Sequence, residues 1–156
     1  MARKQIRKKE VKELNEELEK EYDIEEIINK KSKVELEKTD SGEYIIVENE
    51  IDFFKINNKW IPTLRFTLRK NILKKVTVDM GAVKFVTSGA DIMRPGIKAV
   101  EEAEKEEAVV IIDEKNLKPL AIGQLSFSSS ELLEMNSGKV VKNLHFVGDK
   151  LWNGQI

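Results

Sequence analysis

Apolar residues recur at helical spacing at the start of the chain. Val11, Leu14, Leu18 and Tyr22 stand three or four apart among charged neighbours, which predicts an amphipathic helix over Arg3–Tyr22 with one narrow apolar face. Asp23, with Glu26 three residues later, reads as the capping start of a second short helix carrying Ile24, Ile27 and Ile28. The period then changes to two. Val34 and Leu36 alternate with charges, Thr39-Asp40-Ser41-Gly42 marks a turn, and Tyr44–Val47 is a dense β-branched run. Strands over Ile51–Ile56 and Lys59–Leu68 flank Asn57-Asn58, whose side chains tolerate the positive φ of a tight hairpin. In the second of these strands Leu64, Phe66 and Leu68 face the core, leaving Arg65, Thr67 and Arg69 opposite.

The densest stretch is Val76–Ile97, VTVDMGAVKFVTSGADIMRPGI. Val76 and Val78 alternate with Thr77 and Asp79 as in a strand, and Gly81 then punctuates the chain. Ala82–Thr87 makes one or two helical turns with Val83 and Val86 on one side and Lys84 on another. Gly89 sits where a helix end favours positive φ. At the elbow that follows, Pro95 fixes φ and pushes Arg94 toward an extended conformation, while Gly96 allows close approach. Beyond it, Glu101–Glu107 reads as a solvated acidic turn, and Ala108–Asp113 as a continuous apolar strand. A strand over Pro119–Phe127 contains Gly123, the mark of a bulge or barrel corner. Ser129 or Ser130 caps a short helix over Glu131–Met135 that Asn136-Ser137-Gly138 ends. Val140-Val141 and Leu144–Val147 finish as strands before Gly148-Asp149 turns the chain. The pattern predicts an α+β chain whose second part is a small, partly closed barrel. The junction falls near Lys74, giving domains of 1–73 and 74–156. It lacks a Gly/Ser/Pro-rich linker, so the two parts are expected to pack together.

Composition narrows the chemistry. At 156 residues, 40% hydrophobic and 35% charged, the chain suits one domain or two small ones. Without cysteine it has no disulfides, thiol nucleophile or thiolate metal site, which fits a reducing cytoplasm. No apolar run nears the roughly 18 residues of a membrane helix, and the charged start is unlike a signal peptide, so no membrane partner is expected. His145, the single histidine, stands in an apolar strand and reads as structural, which leaves no material for a histidine-based triad or zinc site. No carboxylate pair is flanked by apolar shielding, and no glycine-rich nucleotide loop follows a strand. Neither catalysis nor a cofactor is expected.

Charge is unevenly spread. The window Thr63–Lys98 holds eight cations and two acids, +6, while the remainder holds 19 cations and 26 acids, −7. A basic middle in an acidic chain points to a polyanion meeting one face. Main-chain N–H groups of Ser88–Asp91 and Met93–Gly96, with Lys84 and Arg94 for charge, would suit phosphates or base edges. Ala90 and Met93 read equally as core, and Gly89 and Gly96 equally as conformational. Arg65, Arg69, Lys74, Lys75 and Lys118 extend the basic region. The leading cations Arg3, Lys4, Arg7, Lys8, Lys9 and Lys12 read as a solvated helix start.

Three segments in order, AVKFVTSGADIMRPGI, AVVIIDEKNLKPLAIGQLSFSSSEL and MNSGKVVKNLHFVGDKLW, resemble the PUA domain, an RNA-binding module of pseudouridine synthases and archaeosine transglycosylases. The first is most similar to the malignant T-cell-amplified-sequence translation factors and their archaeal relatives. The resemblance implies a mixed β pseudo-barrel behind a small N-terminal α+β domain. It also implies an RNA-contacting face, used on tRNA-like 3′ ends, at Lys84, Thr87, Ser88, Gly89, Ala90, Asp91, Met93, Arg94, Pro95 and Gly96. The partners implied are tRNA or rRNA, the small ribosomal subunit in initiation or recycling, and a translation factor on a separate polypeptide, since the chain ends four residues beyond Trp152. Two alternatives stand beside this. One is an accessory tRNA-binding subunit of an RNA-modification enzyme; the other is a protein-interaction scaffold whose basic face meets an acidic partner.

Overall fold

The computed structural model describes residues 3–156. The chain divides into two compact units, one ending at Ile72 and the other spanning Leu73–Gln155.

In the first unit β1 (Arg3–Gln5) precedes α1 (Lys8–Tyr22). The strands β2 (Val34–Thr39), β3 (Gly42–Val47), β4 (Glu50–Ile56) and β5 (Lys59–Pro62) follow, and α2 (Leu64–Arg69) closes the unit. The five strands form one antiparallel sheet in chain order. Val11, Leu14 and Leu18 bury the apolar face of α1, as its spacing requires. Two-residue loops, Glu48-Asn49 and Asn57-Asn58, join β3 to β4 and β4 to β5 with all four residues at positive φ. That backbone matches the twist of the paired strands.

Three expectations are corrected here. Arg3–Gln5 is not the start of the helix but a strand, pairing with Glu35–Glu37 of β2. No second helix follows α1, because Asp23 and Glu26 both take positive φ, 53° and 54°. Ile27 and Ile28 are nonetheless buried, and the Ile28 amide donates to Asn15 Oδ1 at 2.8 Å. The strand expected to reach Leu68 stops at Pro62. Thr63 Oγ1 accepts from Phe66 N at 3.3 Å and caps α2, which buries Leu64 and Phe66 but exposes Leu68.

The second unit contains β6 (Lys74–Val78), α3 (Val83–Val86), β7 (Ile92–Met93), a 3-10 turn (Arg94–Gly96) and β8 (Ile97–Val100). It continues through β9 (Ala108–Asp113), β10 (Pro119–Leu125), α4 (Ser129–Glu134) and β11 (Lys139–Phe146). Strand order is β7-β11-β10-β9-β6-β8, with β6 and β9 parallel and the other pairs antiparallel. The two edge strands, β7 and β8, are consecutive in the chain and joined only by the 3-10 turn. The sheet therefore curls into a nearly closed barrel, filled by Val76, Val78, Val109, Ile111, Leu125, Leu132, Val140 and Val141.

Gly123 sits at the expected bulge, with the register against β11 shifting between Ile122 and Gly123. A Cβ there would lie 2.7 Å from Val141 Cγ1 and 3.0 Å from the Lys142 carbonyl oxygen, so only glycine lets β11 cross this closely. β11 runs unbroken through Lys142-Asn143, where two strands were expected. The cap of α4 is Ser128, whose Oγ accepts from Glu131 N, while Ser129 Oγ instead accepts from Ala103 N at 3.0 Å. His145 is buried with Nδ1 2.8 Å from Asp149 Oδ2, a structural pairing. The same carboxylate also accepts from Phe146 N and Trp152 N.

Candidate nucleic-acid interface

The segment from Asp79 to Gly96 is held at both ends and from behind. Asp79 Oδ1 accepts from Ala82 N at 2.9 Å and starts α3, while Asp79 N donates to Gly96 O at 2.9 Å. Behind the loop, Asn143 of β11 donates through Nδ2 to Val86 O and Ala90 O, each at 3.0 Å, and through its amide to Asp91 Oδ1 at 2.9 Å. Gly96 brings the 3-10 turn onto α3, a Cβ there lying 3.2 Å from that of Ala82.

Between α3 and the β7 elbow lies an open groove of about 480 Å³. Its walls are largely apolar, from Ala82, Phe85, Ala90, Ile92, Met93 and Pro95, with Asp79, Asp91 and Lys139 as its ionisable groups. Phe85 is 59% exposed and Met93 47%, high values for large apolar side chains. Val83 and Val86 turn α3 toward the core, which leaves Phe85 facing outward beside Lys84. Lys84 is exposed, with Nζ 5.6 Å from the Phe85 ring centroid.

The expected residues take different parts. Main-chain donors do not form a phosphate cradle at Ser88, Gly89, Ala90 or Arg94. Those amides donate within the chain to the carbonyls of Phe85, Val86, Phe85 and Gly138 respectively. The hydroxyls of Thr87 and Ser88 donate to Val83 O and Lys84 O. Arg94 is not extended but opens the 3-10 turn, the extended residue being Met93. Its guanidinium donates to Leu132 O at 2.8 Å and Ile97 O at 3.4 Å, bracing the elbow against α4. Ala90, Asp91, Met93, Pro95 and Gly96 line the groove.

None of the outlying cations is among the residues that line it. Arg65 and Arg69 belong to the first unit on α2, and Arg69 Nη2 lies 2.7 Å from Asp52 Oδ1. The acidic run is more than a solvated turn. Lys74 Nζ donates to Glu102 O and pairs with Glu107 at 3.8 Å, and Lys75 N donates to Glu101 Oε1. Lys118 is exposed in the β9–β10 turn. Sequence reasoning missed Lys139, which pairs with Asp91 at 3.9 Å, and Phe85, although the Val83/Val86 spacing already turned Phe85 off the core face.

The barrel and its groove fall within residues 74–147, which match the profile of the PUA domain, so this is a PUA-domain protein; residues 2–71 match a domain of unknown function (DUF1947). An uncharacterized protein of Methanocaldococcus jannaschii is 45% identical over 95% of this chain and 93% of its own length. Translation machinery-associated protein 20 of Saccharomyces cerevisiae is 37% identical, over 85% of this chain and 78% of that protein. A malignant T-cell-amplified sequence 1 homolog of Drosophila melanogaster is 33% identical, over 69% of this chain and 62% of that protein. The crystal structure of a hypothetical protein from Pyrococcus horikoshii superposes with a TM-score of 0.81 at 32% identity, covering 99% of this chain and 100% of that one. The chain belongs to the PUA-domain family that includes translation machinery-associated protein 20 and the malignant T-cell-amplified sequence proteins. Among the described residues no helix is long and apolar enough to cross a membrane.

Proposed function

We propose that this chain is a non-catalytic, cytoplasmic RNA-binding protein that takes the unpaired 3′ end of tRNA, or a related single strand, into the groove of its PUA domain. It acts at the small ribosomal subunit in translation initiation or recycling, together with a translation-factor polypeptide. The observation that carries the reading is the open apolar groove with Phe85 and Met93 exposed beside Lys84. Its volume of about 480 Å³ suits a small number of stacked rings. Unpaired RNA is recognised by stacking on such side chains, worth about 1–3 kcal/mol per base, with cations neutralising the adjoining phosphates. Lys84 is the cation placed for that role, while Lys75 and Lys118 act further along the strand. Relatives named for the translation machinery support the cellular setting.

The test compares intact tRNA with tRNA trimmed of its unpaired 3′ nucleotides. Trimming is expected to weaken binding at least tenfold, and Phe85→Ala to weaken intact tRNA to the same degree with an unchanged melting temperature. Equal affinity for both RNAs removes the groove from the reading. Sedimentation with small ribosomal subunits tests the assignment to translation.

A further inference from the structure

The loop after α1, expected from its sequence to be a helix, instead forms one wall of a second cavity of about 480 Å³ that lies wholly within the first unit. Lys12, Asn15, Glu16 and Glu19 supply the other wall, three or four residues apart along one side of α1. Asp23, Glu25 and Lys30 line it from the loop. The loop is held in place: Glu19 Oε2 accepts from Glu26 N at 2.7 Å, and Lys70 Nζ donates to the carbonyls of Glu26 and Glu25 at 3.0 and 3.4 Å.

Counting Glu26, five carboxylates line this cavity against two ammonium groups. An acidic surface alone is ordinary, but Asn15 is not. It is 5% exposed, and its amide orientation is set by Ile28 N, which donates to Oδ1 at 2.8 Å. That leaves Nδ2, on a side chain that lines the cavity, with two N–H donors and no hydrogen-bond partner among the described residues. A buried donor without an acceptor is costly, and a ligand that brings an acceptor removes the cost.

The ligand must therefore combine positive charge with a hydrogen-bond acceptor. Among the described residues no group of carboxylates is placed to hold a metal ion, and a polyamine offers only donors. A peptide rich in lysine or arginine offers both. Its side chains meet Glu16, Asp23 and Glu25, whose carboxylates have no partner among the described residues, and a main-chain carbonyl meets Asn15 Nδ2. Lys12 and Lys30 add donors for further carbonyls. We infer that this cavity is a docking site for a lysine- or arginine-rich segment of a partner protein, with Asn15 holding the backbone of that segment. The site is independent of the RNA groove, which belongs to the second unit.

Acetyl-tetralysine amide and spermine carry the same charge, but only the peptide has carbonyls. Titrated calorimetrically into the whole chain, the peptide is expected to bind at least about five-fold more tightly than spermine, the effect of one added hydrogen bond. Asn15→Asp keeps an oxygen for Ile28 N and replaces the unpaired donor with an acceptor, so it should tighten spermine and erase the advantage of the peptide. The wild-type ratio stands whether or not that variant folds. Glu16→Lys combined with Glu25→Lys, both at exposed positions, should weaken the peptide at least about tenfold with an unchanged melting temperature. Phe85→Ala should bind the peptide as wild type does. Equal binding of peptide and spermine would overturn the proposal, reducing the cavity to unspecific charge attraction. Peptide binding that survives the double charge reversal, or no peptide binding at all, would overturn it as well.

Discussion

Gly89 lies against the ring of Phe146: a Cβ on Gly89 would sit 2.8 Å from Cε1 of that ring, and the backbone there has a φ of +93°. The turn after α3 is thus seated on β11 by an absence of side chain. Gly89→Ala introduces both a strained backbone and a clash with an aromatic edge. Positive φ alone costs an L residue on the order of 1–3 kcal/mol. Urea unfolding should show a loss of that size or more, with weaker RNA binding because Ala90, the next residue and part of the groove wall, moves with it. An unchanged midpoint would mean that the Phe146 ring yields freely.

Lys84 and Arg94 were paired in the sequence as the two cations of the elbow, but they part company in the structure. Lys84 is exposed beside Phe85, while Arg94 donates to the carbonyls of Leu132 and Ile97. Lys84→Glu should therefore weaken RNA binding and reduce the log–log salt slope by roughly 0.7, the value for one phosphate contact on a single strand, with stability unchanged. Arg94→Ala should instead lower unfolding stability by about 1–3 kcal/mol, since two carbonyls lose charged donors. Its salt slope should stay near wild type. The reverse outcome in salt titrations would exchange their roles.

The parts of this fold that were legible in the sequence are those decided locally. The stripe of Val11, Leu14 and Leu18 defines α1, the Asn-Asn hairpin needs only its own backbone, and Gly123 marks a bulge wherever it is placed. Thr63–Arg69 was misread because alternating apolar residues over six positions also satisfy a short helix, and the capping hydroxyl of Thr63 after Pro62 decided the outcome. The segment that lines the groove stood out by its glycines and proline, but the groove itself and its rear support were invisible. Asn143 lies 52 residues from Asp91 in sequence, and barrel closure alone brings them together. A window rich in cations likewise said nothing of the carbonyls and carboxylates that would occupy Arg94, Arg69 and Lys74.

The carboxylate of Asp149 fixes the end of β11. Burial pushes its pKa up, but hydrogen bonds from His145, Trp152 and Phe146 outweigh this and hold it below the usual carboxylate value. A carboxylate lowered on folding adds stability above its unfolded pKa, about 3.9, and that stability is lost as pH falls through the folded value. Asp149→Asn should be clearly destabilised at pH 7, where it keeps a single acceptor for three donors. The gap between the two proteins in thermal unfolding should close progressively below about pH 4. A gap that stays constant down to pH 2 would assign the effect to shape alone.

Asp52 works in the opposite sense and decides what Arg69 is for. Its side chain is buried, which raises its pKa, and the Arg69 hydrogen bond at 2.7 Å offsets this only in part. A carboxylate raised on folding favours the native state most below its unfolded pKa and loses that contribution as pH rises through the folded value. Arg69→Ala removes the offset and leaves a buried carboxylate unpaired. Breaking a buried pair costs about 3–5 kcal/mol, and since Arg69 is half exposed a smaller loss, about 1–3 kcal/mol, is expected at pH 7. The loss should shrink as pH falls through the raised pKa of Asp52, because a protonated Asp52 needs no cation. RNA affinity at pH 7 should stay within two-fold of wild type, measured well below the unfolding temperature. A large affinity loss in a protein that remains fully folded would instead place Arg69 on the RNA.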